Sequence, residues 1–176
     1  VELDRSYSEQ NLKYDIAQVR ALRAFAYFYM VRIWGDVPLV TYSYDNGTFP
    51  SMPRTDAQTV LSYAKAELLT AIEDLPYQYG TQTNLYYGSY GAQWQGKLFN
   101  KLSAYSVLAH ICAWQGNYAE AETYSAFIID HASEINAKYT SIADLTSETG
   151  LFYSNASVKG SRILGFNFAH NDNEAT

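Results

Sequence analysis

Between Tyr77 and Gln95 the chain sets six aromatic rings (Tyr77, Tyr79, Tyr86, Tyr87, Tyr90 and Trp94) among Gly80, Gly88, Gly91 and the amides Gln82, Asn84, Gln93 and Gln95. These two residue classes suit sugars. A sugar ring exposes flat C–H faces that pack on an aromatic face, and its hydroxyls want amide partners. A phenol also buries well while keeping a polar tip, and glycines keep such a segment off regular structure. The segment holds no Lys, Arg, Asp or Glu, which suits a neutral ligand. Trp94, Tyr86, Tyr87, Tyr90 and Asn84 are therefore the first candidate ligand residues. At this level a second reading fits equally: the rings cover neighbouring helices or other parts of the protein. Gly35 to Arg54 is the second candidate segment, carrying Tyr42, Tyr44, Asp45, Asn46 and Phe49. Tyr44 and Asn46 are its candidate contacts.

Catalytic chemistry finds little support. His110, His131 and His170 share no metal-ligand spacing, and none is paired in sequence with a nucleophile. Glu73-Asp74 and Glu120 with Glu122 read as solvated helix faces. A glycosidase needs opposed carboxylates about 5–10 Å apart across a cleft, which neighbours on one helix do not supply. Asn171-Asp172-Asn173-Glu174 is oxygen-rich but lacks the Asp-x-Asp-x-Asp-Gly order of a calcium loop. No catalytic residue, metal or cofactor is expected. A net charge of −6 argues against nucleic acid, whose phosphates need a basic footprint. Cys112 is the single cysteine, so no intrachain disulfide forms, and its helical-core spacing marks it as a small hydrophobe. No run of about 18 uncharged apolar residues is present to span a membrane as a helix.

The segments that position these loops read as helices. The stretch from Ala21 to Trp34 is apolar almost all round, a pattern that belongs inside a larger assembly of helices. Val19, Leu22, Ala26, Tyr29 and Ile33 recur at 3,4 spacing and predict its buried face. A second helix is predicted from Thr55, capped by that residue with Gln58, on the stripe Ala57, Leu61, Ala64, Leu68, Ala71 and Leu75, with Pro76 as its stop. Leu98, Leu102, Tyr105, Ala109 and Cys112 mark a third, ended by Gly116. Asn117 and Glu120 then form a capping box for a fourth, striped by Tyr118, Ala121, Ser125, Ile128 and Ala132. The predicted pairs are 12–34 with 56–75, and 98–115 with 117–132. Gly116-Asn117-Tyr118-Ala119-Glu120-Ala121 has the Gly-x-Tyr-x-x-Ala order of a tetratricopeptide turn. A short helical turn is predicted at Ile142 to Leu145 and a strand at Ile163 to Phe168. Arg20, Arg23 and Arg32 are expected to pair with carboxylates or carbonyls inside the fold.

The arginine-rich entry, aromatic middle and Trp34-Gly35-Asp36-Val37-Pro38-Leu39 ending of the first helix closely resemble the SusD/RagB family. So do the interrupted helical repeats, the Tyr139 to Leu145 segment and the Ile-Leu-x-Phe-x-Phe order from Ile163. The resemblance runs from about Leu12 to the end of the chain. It implies an all-α fold of tetratricopeptide-like helix pairs with long aromatic loops and a short strand near the C-terminal end. It also implies that residues 1–176 are one helical domain, a fragment of a longer protein. By the same resemblance Trp34, Pro38 and Arg32 are structural. Members are surface lipoproteins of the Bacteroidetes outer membrane that bind glycans without cleaving them and deliver them to a SusC-like, TonB-dependent transporter. Membrane contact is then expected only through a lipid anchor outside this chain, with no nucleic-acid partner. The alternatives are a tetratricopeptide-type protein-interaction module or a binder of another nutrient such as peptide.

Overall fold

The computed structural model describes residues 8–43, 47, 50–80, 86–87 and 96–137. Within them the fold is all-α: α1 Glu9–Trp34, α2 Ala57–Asp74, α3 Lys101–Trp114, α4 Tyr118–Asp130, and a short 3-10 turn at Ala132–Ile135. The predicted turn at 142–145 and strand at 163–168 lie outside the described residues. Helix α1 packs along α2, α3 along α4, and α2 joins the two pairs by packing on α3.

Local hydrogen bonding explains where each helix starts and stops. Ser8 caps α1, accepting from the Asn11 amide at 3.1 Å. Gly35 ends it at φ +69°, a left-handed conformation that suits glycine, and donates to the Val31 carbonyl at 2.9 Å. The cap of α2 is Asp56, not Thr55. Its carboxylate accepts from the Gln58 and Thr59 amides at 3.2 and 2.9 Å and from the Thr59 hydroxyl at 2.6 Å. One carboxylate thus satisfies three donors where a hydroxyl would satisfy one. Thr55 instead pairs its backbone with Val37, clamping the two ends of the 35–54 excursion together. Asn100 and Ser103 close a reciprocal box on α3 that the sequence reading had not singled out. Asn117 caps α4 as expected, but Glu120 does not complete that box. Its carboxylate turns to Lys65 of α2, 2.6 Å away.

The core sits between α1, α2 and α3. Leu61, Leu68, Leu75, Leu102, Leu108 and Ile111 are its largest fully buried side chains, with Cys112 buried beside them. The α2 and α3 stripes fall where they were predicted. The α1 stripe does not: Val19, Leu22, Ala26, Tyr29 and Ile33 are all exposed. The buried residues are Tyr14, Ala17, Ala21, Ala24, Tyr27, Phe28 and Val31, on the opposite side. A helix apolar all round carries two such stripes, and α2 takes the one whose alanines admit its backbone most closely. Helix α4 buries none of its residues completely. Arg20 and Arg23 do pair inside the fold, both with Glu67 of α2, whose carboxylate is nearly buried. Arg32 instead lays its guanidinium over three rings.

Candidate functional site

The aromatic segment that follows α2 is anchored on the N-terminal half of α1. Tyr79 and Tyr86 fold back onto Tyr14 to make a small cluster separate from the main core. Tyr14 meets Tyr79 edge-on at 5.5 Å between ring centres, and Tyr79 and Tyr86 are 5.0 Å apart. The polar tips of Tyr79, Tyr86 and Tyr87 are satisfied from α1 and from the backbone of Phe99. The Tyr79 hydroxyl donates to the Phe99 carbonyl at 2.7 Å. The Gln18 side chain receives the Phe99 amide at 2.9 Å and donates to the hydroxyl of Tyr79. Asp15 accepts from the Tyr86 hydroxyl at 2.5 Å and from the Tyr87 hydroxyl. Burial pushes the Tyr79 phenol far above its ordinary range, so it stays a neutral donor.

This arrangement divides the predicted platform. Tyr86 is buried, only 6% exposed, so its ring faces protein and is not offered to a ligand. Its neighbour Tyr87 is 45% exposed and stands edge-on to Tyr86 at 4.6 Å. Tyr87 holds φ +49°, an uncommon left-handed conformation for a residue with a side chain. Both hydroxyls converge on Asp15, yet the cluster closes over Tyr86 and leaves Tyr87 partly exposed at its edge. Tyr77 is also committed to the fold, stacked on His131 at 5.9 Å with Lys101 over its ring. Asn84, Tyr90 and Trp94 lie outside the described residues.

The second segment is fixed at its roots. The Tyr27 hydroxyl donates to the Val40 carbonyl at 3.0 Å and accepts from the Val40 amide at 2.8 Å. Asp36 accepts from the Ala57 amide at 2.9 Å. Beyond these ties Tyr42 is exposed, while Tyr44 and Asn46 lie outside the described residues.

An open groove of about 450 Å³ runs between the C-terminal end of α1 and helices α3 and α4. Arg32 sits over Phe28, Tyr29 and Trp114 at 5.3–5.5 Å there, and Trp114 is exposed. Phe28 and Tyr29 precede Arg32 by one helical turn, which was a legible signal; the approach of Trp114 from α3 was not. No cluster of histidine, cysteine or acidic residues that could hold a metal occurs among the described residues.

No family model matches this sequence, and no curated protein does. Solved structures do share its fold. A SusD-like carbohydrate-binding protein from Bacteroides fragilis superposes with a TM-score of 0.64 at 22% identity, over 81% of this chain and 25% of its own. A laminarin-binding SusD-like protein gives 0.64 at 23% identity, over 80% and 29%. Surface glycan-binding protein A from Bacteroides uniformis gives 0.65 at 21%, over 83% and 30%. This chain spans less than a third of the length of each of these proteins.

Proposed function

We propose that this chain, which has the fold of SusD-like proteins, binds glycan non-catalytically at the cell surface and hands it to a SusC-like, TonB-dependent transporter of the outer membrane. The observation that carries the reading is the Tyr86–Tyr87 pair. A partly exposed ring, tethered by its hydroxyl to Asp15 and backed by a buried cluster, is a preorganised stacking surface, and preorganisation removes part of the entropic cost of binding. Tyr87 opens the stretch that continues through Tyr90 to Trp94, so the platform is proposed to be Tyr87, Tyr90 and Trp94, with Asn84 supplying an amide. Tyr44 and Asn46 are proposed as contacts from the second segment. The fold neighbours, a laminarin-binding, a carbohydrate-binding and a surface glycan-binding protein, support a glycan ligand. Attachment to the membrane is proposed to be through a lipid anchor.

Affinity electrophoresis of the full-length protein through gels containing laminarin and other soluble glucans tests the binding half. At about 1 kcal/mol per ring contact, Tyr87→Ala with Trp94→Ala weakens retention by about ten- to thirtyfold and leaves the melting temperature nearly unchanged. Normal retention with early melting would make those rings part of the fold. The delivery half fails if the native protein never co-purifies with a transporter barrel.

A protein-interaction module of the tetratricopeptide type is the second reading, favoured by the groove at Arg32 and Trp114. It predicts that Trp114→Ala abolishes capture of a protein partner and leaves glycan retention untouched.

A further inference from the structure

Arg20 and Arg23 share Glu67, whereas Arg32, further along α1, makes neither an ion pair nor a hydrogen bond among the described residues. Its exposed guanidinium lies 5.3–5.5 Å from the ring centres of Phe28, Tyr29 and Trp114. Ring faces offset a cation's charge and hold the side chain in place, but they accept hydrogen bonds only weakly. The planar N–H fork is therefore positioned and still open. It lines the groove of about 450 Å³, a size within the ordinary range of small-molecule sites. Trp114 offers that groove an exposed ring, and alanines of α3 and α4 keep its floor low. His110 and Ser125, both exposed, add an imidazole and a hydroxyl.

We propose that this groove is a second carbohydrate subsite, selective for a hexuronic acid residue. The sugar ring stacks on Trp114, its carboxylate takes the Arg32 fork, and its hydroxyls reach His110 and Ser125. A carboxylate and a guanidinium are both planar, so two parallel N–H···O bonds form where the hydroxymethyl group of a neutral sugar has a single oxygen to offer. An acidic peptide carries the same carboxylate, but the walls of the groove favour the sugar. An extended peptide needs backbone partners, and the amides and carbonyls along α1, α3 and α4 are paired within those helices. A docked helix needs an apolar lining, which Arg32, His110 and Ser125 interrupt. A sugar needs only a ring face and polar side chains. The subsite lies apart from the Tyr87 platform. Asp15, which holds Tyr87, precedes Arg32 by 17 residues, roughly 25 Å along α1. The two sites share only the class of ligand, so either can fail alone.

Isothermal titration calorimetry of the full-length protein tests this with trigalacturonate against its neutral counterpart galactotriose. Salt at about 0.15 M screens simple charge attraction. The acid is expected to bind the wild type at least about tenfold more tightly, because a site built around a fork rejects a ligand that leaves it unpaired. Arg32→Gln abolishes the difference, and Tyr87→Ala leaves it intact. Arg32→Lys keeps a cation over the rings, serves as the folded control, and recovers only part of the preference because it lacks the fork. Equal affinity for acid and neutral sugar, or a preference that survives Arg32→Gln, overturns the proposal. So does displacement of trigalacturonate by equimolar sulfate, which would mark a site for charge alone. Tighter binding of triglutamate than of trigalacturonate would assign the groove to a protein partner and overturns it as well. Normal laminarin retention by the Tyr87→Ala, Trp94→Ala variant would instead sink the platform and leave this subsite standing.

Discussion

Helices α2 and α4 occupy equivalent places as the second members of their pairs, and both carry a 3,4 apolar stripe, yet their burial differs completely. Helix α2 buries Val60, Leu61, Ala64, Glu67, Leu68, Ala71 and Ile72. Helix α4 buries none of its residues, and Tyr118 and Ile129 stand in solvent. The cause is position. Among the described residues, helix α2 is sandwiched between α1 and α3, whereas α4 packs on α3 and the 3-10 turn after it and meets α2 at the Lys65–Glu120 ion pair. A stripe states which face of a helix can be buried, and neighbours decide whether it is. Helix α1 teaches the same lesson within one element, since its apolar outward face is as regular as its covered one.

The contrast between α2 and α4 breaks most sharply on mutation. Leu68→Ala removes a fully buried side chain and is expected to cost about 2–5 kcal/mol of unfolding free energy. Ile128→Ala on α4, half-buried, is expected to cost about 1 kcal/mol or less. Denaturant unfolding of both variants checks this, and equal losses would dissolve the distinction.

A smaller loss follows from the ion pairs that fasten the two pairs differently. Glu67 lies nearly buried between Arg20 and Arg23, whose side chains still reach solvent. Glu67→Gln is expected to cost about 1–3 kcal/mol, below the value for a fully buried pair, because water screens the arginines left behind. The guanidinium of Arg23 is held above its ordinary range mainly by its hydrogen bond to Glu67.

The smallest effect separates α4 from the rest by pH. The hydrogen bond from Lys65 holds the Glu120 carboxyl below its ordinary range. A group whose folded value is depressed stabilises above its unfolded value and loses that contribution as pH falls through the folded one. In thermal melts at decreasing pH, the wild type is expected to lose ground to Glu120→Gln below about pH 4, near the ordinary carboxylate range. A constant difference between the two from pH 7 to pH 3 would mean that Glu120 does not anchor α4 to α2. Asp56 behaves in the same sense at the start of α2, held down chiefly by the Thr59 hydroxyl and the amides beside it.

The four helices, their order and their pairing were legible in the sequence because a helix is written locally. Caps such as Asn117, stops such as Gly35 and Gly116, and stripes such as Leu61 to Leu75 involve residues within a turn of each other. The choice between Thr55 and Asp56 as a cap was not legible, since Thr55 was claimed by Val37 from across a 17-residue excursion. The candidate site was legible in composition and only partly in role. Tyr86 and Tyr87 are adjacent and chemically identical, yet one is buried and the other is exposed. That difference comes from Tyr14, more than seventy residues earlier in the chain, whose ring packs on Tyr86.

The sequence by itself determined that this protein is built of amphipathic and all-round apolar helices joined by aromatic segments. Those properties follow from side-chain period, capping chemistry and the conformations glycine and proline impose. Only the tertiary structure decided which of the two apolar faces of α1 meets α2, which tyrosine of a pair stays exposed, and that Arg32 lies on rings rather than on a carboxylate. Each of these is a competition between contacts of similar local energy, and it is settled by what packs next to the residue in space.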